Sequence, residues 1–290
     1  MRKTFFLILI LLVFMDAADA QSQSGKILIF AGAASKPATE KAVKRFTTET
    51  AIPVDVVFGG SGYVLSQMKL SRKGDLYFPG SSDFMEMAKR EEWVFPDSEK
   101  VIAYLIPAIN VQRSNPKGIS ALRDLTREGI RVGIAHPEKV CVGTYAVEIV
   151  EKNLTSPEKE KFRKNIVNYV ESCEKTANVI ALKAVDAVLG WSVFQDWNPD
   201  RIETVYLRPE EIPRIGYLPI ALSRFSKDRR LAQRFIDFLT SRQGKGIFRK
   251  HGYLMEPQDA RFFTSATTPV GGEYSLPAEW RGHPPQETKR

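Results

Sequence analysis

The chain is poor in the residues from which most reactive centres are built. It has two cysteines, Cys141 and Cys173, and three histidines, His136, His251 and His283, in 290 residues. The histidines lie far apart and none has metal-ligand spacing, so no metal site is read from the sequence. Two cysteines leave two readings open, a single disulfide or two buried thiols. No internal repeat is present, and no apolar run reaches the roughly 20 residues that a membrane-spanning helix needs. A serine-hydrolase elbow is missing too: "GGSGY" (59–63) carries Tyr63 where Gly-x-Ser-x-Gly requires its second glycine.

The N-terminus has the pattern of a secretory signal. Arg2 and Lys3 precede an apolar stretch from Phe5 to Met15, and Ala18-Asp19-Ala20 is a small-x-small cleavage site. Residues 1–20 are therefore expected to be removed on export, and no cysteine follows to carry a lipid. The remaining 270 residues, 290 minus 20, suffice for one large domain or two lobes with a sizeable core. A formal charge of +8 suits anions in general, yet the basic residues are interleaved with acidic ones. The densest run, "SKDRRLAQR" (226–234), reads as a solvated helix face, so nucleic acid is not the expected partner.

Apolar, β-branched runs recur along the chain, from "KILIFA" (26–31) and "IPVDVVFG" (52–59) to "RVGIAH" (131–136) and "AVLGW" (187–191). Helical patterns separate them at 37–49, 62–71, 83–91, 143–152 and 176–185. This alternation predicts an α/β fold with largely parallel sheets. Two long, proline-bearing extended stretches, 101–125 and 204–224, interrupt the rhythm as segments crossing between lobes would. The expected division is lobe 1 from 25–104 and 220–257, lobe 2 from 105–219, and a loosely ordered, Pro- and Gly-rich tail over 258–290.

Four predicted helix starts share small or hydroxyl-bearing residues: Ser35 in "AASKPATE", Ser61 in "FGGSGYVL", Val142 in "EKVCVGTYAVE" and Thr176 in "CEKTANVIAL". Helix N-termini offer unpaired N–H groups and a positive dipole end, and in open α/β sheets they gather where ligands bind. Two such ends from each lobe would receive an anion between them. Ordinary capping accounts for any one of these positions alone.

In order and spacing, "ILIFAGAASKPATEKAVKRF", "VDVVFGGSGYVLSQM", "GDLYFPGSSDFMEMAKRE", "RVGIAHPEKVCVGTYAVEIVEK", "AVLGW" and "YLPIALS" together resemble the periplasmic molybdate/tungstate-binding proteins of ABC transporters, over residues 26–254. The resemblance implies a two-lobed type II periplasmic-binding-protein fold and no catalysis or cofactor. It further implies a monomer that captures a tetrahedral oxyanion in the periplasm and delivers it to a membrane permease. Its oxyanion donors fall on Ser35, Ser61, Val142 and Thr176, while the tyrosine of the family falls on Trp191, whose indole N–H donates but cannot accept. The only metal would be the one inside the oxyanion.

The Trp191 departure keeps two alternatives in play, a larger or organic anion in the same cleft and a packed core tryptophan. Cys141 and Cys173 each adjoin a donor loop of the second lobe, where a disulfide would fix the geometry of those loops. Lys36, Tyr63, Ser81 and Ser82 lie near the same opening, and Asp83 and Glu174 would matter if carboxylates met the anion's metal centre. An exported serine hydrolase using Ser61 is the weakest reading, because no histidine and carboxylate are placed to serve it.

Overall fold

A computed structural model describes residues 25–282. The signal sequence over 1–20 and the last eight residues of the tail, His283 among them, lie outside the described residues. The first half of the first lobe runs β1 (Ile27–Gly32), α1 (Lys36–Thr50), β2 (Val54–Gly59), α2 (Ser61–Ser71), β3 (Leu76–Phe78), α3 (Ser82–Arg90) and β4 (Lys100–Leu105). The chain then crosses at Ile106 into β5 (Pro107–Gln112), β6 (Val132–Ala135), α4 (Cys141–Asn153), α5 (Ser156–Asn165) and β7 (Ile166–Val170). The second lobe ends with α6 (Cys173–Ala181), β8 (Ala187–Trp191), α7 (Phe194–Trp197) and β9 (Ile202–Val205). Return to the first lobe is through β10 (Gly216–Leu222), α8 (Arg229–Thr240), α9 (Arg242–Lys250) and α10 (Pro257–Arg261).

Each lobe is built on a five-stranded sheet, ordered β2-β1-β3-β10-β4 in the first and β7-β6-β8-β5-β9 in the second. The fold is thus α/β and two-lobed. The sheets are mixed, because β10 pairs antiparallel with both neighbours in one and β5 does so in the other. These reversed strands are the two through which the chain enters from the opposite lobe. β10 already belongs to the first sheet at Gly216, four residues ahead of the division expected at 220.

The parallel strands set where the site falls. β1 pairs in parallel with β2 and β3, so the turns leaving all three emerge at one edge; β6 does the same with β7 and β8. Helix α1 follows because Pro37 fits its first turn and Ala38, Thr39, Ala42 and Phe46 form one buried stripe. Phe46 meets the rings of Phe235 and Phe238 at 5.1 and 5.5 Å, which fastens α8 to the first lobe.

The expectation of a loosely ordered tail fails over 258–282. Ser82 Oγ donates to Gly272 O at 2.7 Å, and Tyr274 N donates to Asp83 Oδ1 at 3.0 Å, both on the first lobe. Trp280, 1% exposed, inserts into the core of the second lobe, donates Nε1–H to Glu151 at 2.8 Å and lies under the Arg163 guanidinium. Low hydrophobic content predicted looseness, but an extended Pro/Gly-rich segment needs only a few anchors, and Trp280 with Phe263, Tyr274 and Leu276 packs on the core of the second lobe. Trp280→Ala should lower unfolding free energy in urea by about 3–5 kcal/mol; a change within about 0.5 kcal/mol, the range of surface substitutions, would mean the strap is not anchored there.

Candidate functional site

Ser35 is the N-cap residue of α1, fully buried, and its side chain does not cap the helix. The hydroxyl donates instead to Gly32 O at 3.2 Å and accepts from Thr39 Oγ1 at 3.0 Å. Ser61 is the first residue of α2, with Gly60 as the N-cap, and again no side chain caps the helix. Its Oγ accepts the Gly80 amide at 3.0 Å, which leaves the hydroxyl proton to be donated. Tyr77 and Tyr253 hold the two segments from behind, through hydrogen bonds to Ser61 O and Ala34 O at 3.0 and 2.6 Å.

From the second lobe, α4 opens at Cys141, so Val142 is its second residue, and it too lacks a side-chain cap. The N–H groups of Gly143 and Thr144 are satisfied by Val140 O. Gly143 is required here, since a Cβ would stand 2.3 Å from Ala135 O and push α4 off the end of β6. Helix α6 begins at Cys173, three residues before the expected start, with Ser172 accepting from Lys175 N at 3.1 Å. Thr176 is therefore corrected as a donor. It sits a turn inside the helix, and both its N–H and its Oγ1–H are bonded to Ser172 O, at 2.9 and 2.8 Å. A helix that starts at Cys173 has no intrahelical carbonyl for the N–H groups of its first two residues, Cys173 and Glu174.

These starts converge. A Cβ on Gly80 would lie 2.7 Å from Ala34 Cβ and 2.5 Å from Cys141 Sγ, and one on Gly32 would lie 2.7 Å from Ser61 Oγ. Across the cleft, Gly62 N donates to Lys139 O at 2.9 Å and Lys36 Nζ meets Glu174 at 2.7 Å, so the lobes are in contact. Trp191 ends β8 fully buried, edge-on to Tyr145 with centroids 4.8 Å apart. Neither Trp191 Nε1 nor Tyr145 Oη has a hydrogen-bond partner. Cys141 and Cys173 are free, their sulfurs 3.4 Å apart. Burial pushes the Cys173 thiol well above its ordinary range, aided by Cys141 and opposed by the Val142 amide.

One residue that the sequence reading did not single out ties the site together. Arg214, 3% exposed, forks onto Asp83 of α3 at 2.8 and 3.0 Å, reaches Glu148 of α4 at 2.6 Å, and stacks 3.9 Å above the Tyr145 ring. Burial works against its charge, but Tyr145, Asp83 and Glu148 together hold its pKa raised. The available signal was one basic residue inside an apolar, proline-bearing crossing segment, "EEIPRIGYLPIAL". Asp83 is thus committed to Arg214 and Glu174 to Lys36, which removes both from the role of free carboxylates facing a ligand. Among the described residues no three His, Cys, Asp or Glu side chains group as a metal-ion site would require.

Two α/β lobes meet over helix starts that no side chain caps, with Lys36–Glu174 and Arg214–Asp83 ion pairs beside them, which is the architecture of a two-lobed binding protein. The chain belongs to the family of bacterial extracellular solute-binding proteins, matched over residues 27–254. It is 26% identical over 239 residues to a Haemophilus influenzae protein that carries the name "Putative binding protein", covering 80% of this chain and 92% of that one. With the Escherichia coli molybdate-binding protein ModA it shares 22% over 256 residues, 84% of this chain and 95% of the relative. The sulfate-binding protein SubI of Mycobacterium tuberculosis has the same fold, with a TM-score of 0.69 at 16% identity over 84% of this chain and 93% of SubI.

Removing one partner of the buried Arg214 network leaves a charge stranded. Asp83→Ala should cost about 3–5 kcal/mol of stability, whereas Lys36→Ala, at the half-exposed mouth, should cost no more than about 1 kcal/mol. Equal losses in urea unfolding would contradict this ranking.

Proposed function

We propose that the protein is exported, binds a tetrahedral oxyanion of the molybdate/tungstate class between its lobes, and passes it to an ABC permease without making or breaking a bond. The observation that carries this reading is the convergence of three helix starts without side-chain caps, α1, α2 and α4, with the Ser35 and Ser61 hydroxyls, in a place where Lys36 is paired with Glu174 and Arg214 with Asp83. Such a site stabilises a small dianion by replacing its hydration with fixed N–H and O–H dipoles. The first two amides of α6 complete the donor set in place of Thr176. Donors without acceptors also disfavour an anion that carries its own proton, which would leave donor facing donor. ModA supports the ligand class, and its whole length is nearly covered by this chain.

A second reading, a larger or organic anion in the same cleft, draws on Trp191, whose buried Nε1–H has no partner within the protein. A hydrolase reading of Ser61 gains nothing from the geometry, because its Oγ accepts an amide instead of donating to a base.

Calorimetric titration with molybdate, tungstate, sulfate and phosphate is the test. Tight, stoichiometric binding of molybdate or tungstate is expected, with phosphate weakest. Ser35→Ala and Ser61→Ala should each weaken binding by about 1.5–3 kcal/mol, roughly ten- to hundredfold. No heat with any of the four anions would remove the oxyanion reading. If the first of these anions to bind leaves Trp191-dependent fluorescence unchanged, the indole is only a packing residue.

A further inference from the structure

Cys141 and Cys173 open the two helices that face the cleft from the second lobe, and each is 1% exposed. Their surroundings hold more than a pair of packed thiols would need. Their sulfurs lie 3.4 Å apart inside the buried cluster that also holds Trp191, whose Nε1–H has no hydrogen-bond partner. On the other side, Gly80 of the first lobe closes over Cys141, since even a Cβ there would come within 2.5 Å of Sγ.

We propose that Cys141 and Cys173 form a reversible disulfide, and that its redox state sets how the second lobe presents its N–H donors to the ligand. Formation of the bond stands on the geometry of the pair alone; its effect on binding rests on the oxyanion reading. The oxidant is a thiol-derived disulfide, R–S–S–R, of the kind present in an oxidising compartment. One cysteine thiolate attacks a sulfur of R–S–S–R, breaks that bond and expels one R–S⁻. The second cysteine, as thiolate, attacks the mixed disulfide and expels the other. Two electrons pass to the reagent, which leaves as two thiols carrying the two protons that the cysteines gave up. With both sulfurs sealed between the lobes, the exchange proceeds when the lobes part.

Bond formation brings sulfurs now 3.4 Å apart to a bonded distance of about 2.05 Å. That movement fastens the starts of α4 and α6 to each other. Donors that are fixed in place bind more tightly than donors that must first be ordered. The oxidised protein should therefore hold its anion better than the reduced one.

The full chain, first reduced and then equilibrated with oxidised glutathione, is denatured and its thiols are counted by alkylation and mass. No titratable thiol, loss of the mass of two hydrogen atoms and recovery of both thiols with dithiothreitol are expected; two thiols remaining after oxidation would overturn the disulfide. Tungstate calorimetry on both forms should then give binding roughly tenfold tighter for the oxidised protein. Cys141→Ser should make tungstate affinity indifferent to glutathione. Equal tungstate affinity in the two forms would overturn the coupling. A disulfide that forms in a protein giving no tungstate heat in either state would uphold the bond and count against the oxyanion reading.

Discussion

An α-helix that begins in a protein interior presents backbone N–H groups with no partner along its own axis, and burial denies them water. Most chains solve this with a capping side chain, as α6 and α8 do through Ser172 and Asp228. Helices α1, α2 and α4 do not, although serine stands at two of the three starts. Both serine hydroxyls are turned elsewhere, into Gly32 O and the Gly80 amide. The three starts are brought close together, and the remaining features of the cleft follow from keeping that place small and its charges paired.

Small residues keep it small. Gly32, Gly80, Ala33 and Ala34 allow the backbone turns of β1 and β3 to touch, and Gly143 seats α4 against the end of β6. Pairing keeps it free of charge, with Lys36 held by Glu174 at the mouth and Arg214 held by Asp83 and Glu148 behind the wall. Because Asp83 and Glu148 belong to different lobes, Arg214 also links their relative position to the site. The strap over 262–282 reinforces this link from outside, bonded to α3 through Gly272 and Tyr274 and to α4 through Trp280. Opening such a cleft must break contacts from every one of these layers, which connects the energetics of lobe closure to capture and release.

Much of the architecture was legible before any coordinates. Strand and helix alternation predicted the α/β class, and the two proline-bearing stretches marked the crossings, because period and turn chemistry are local properties. The reversed strands β5 and β10 were not legible, since strand direction depends on where the chain re-enters a sheet. Ser35 and Ser61 could be placed at helix starts from their flanking Gly, Ala and Pro alone. The start of α6 at Cys173 is hidden in the sequence because "CEK" resembles a loop until Ser172 is seen capping it, so the pattern alone points to Thr176. Arg214 and Trp280 escaped notice for a different reason: a lone arginine or tryptophan reveals its role only through partners about 66 and 129 positions away.

The account stands on neutral dipoles from both lobes surrounding one anion, and diffraction at the tungsten absorption edge from crystals grown with tungstate reads that directly. A single tungsten peak per chain is predicted, with its oxygens within hydrogen-bond reach of the Ser35 and Ser61 hydroxyls and of the first amides of α4 and α6. A peak coordinated by carboxylates, or one on the outer surface with the cleft closed as before, would contradict it.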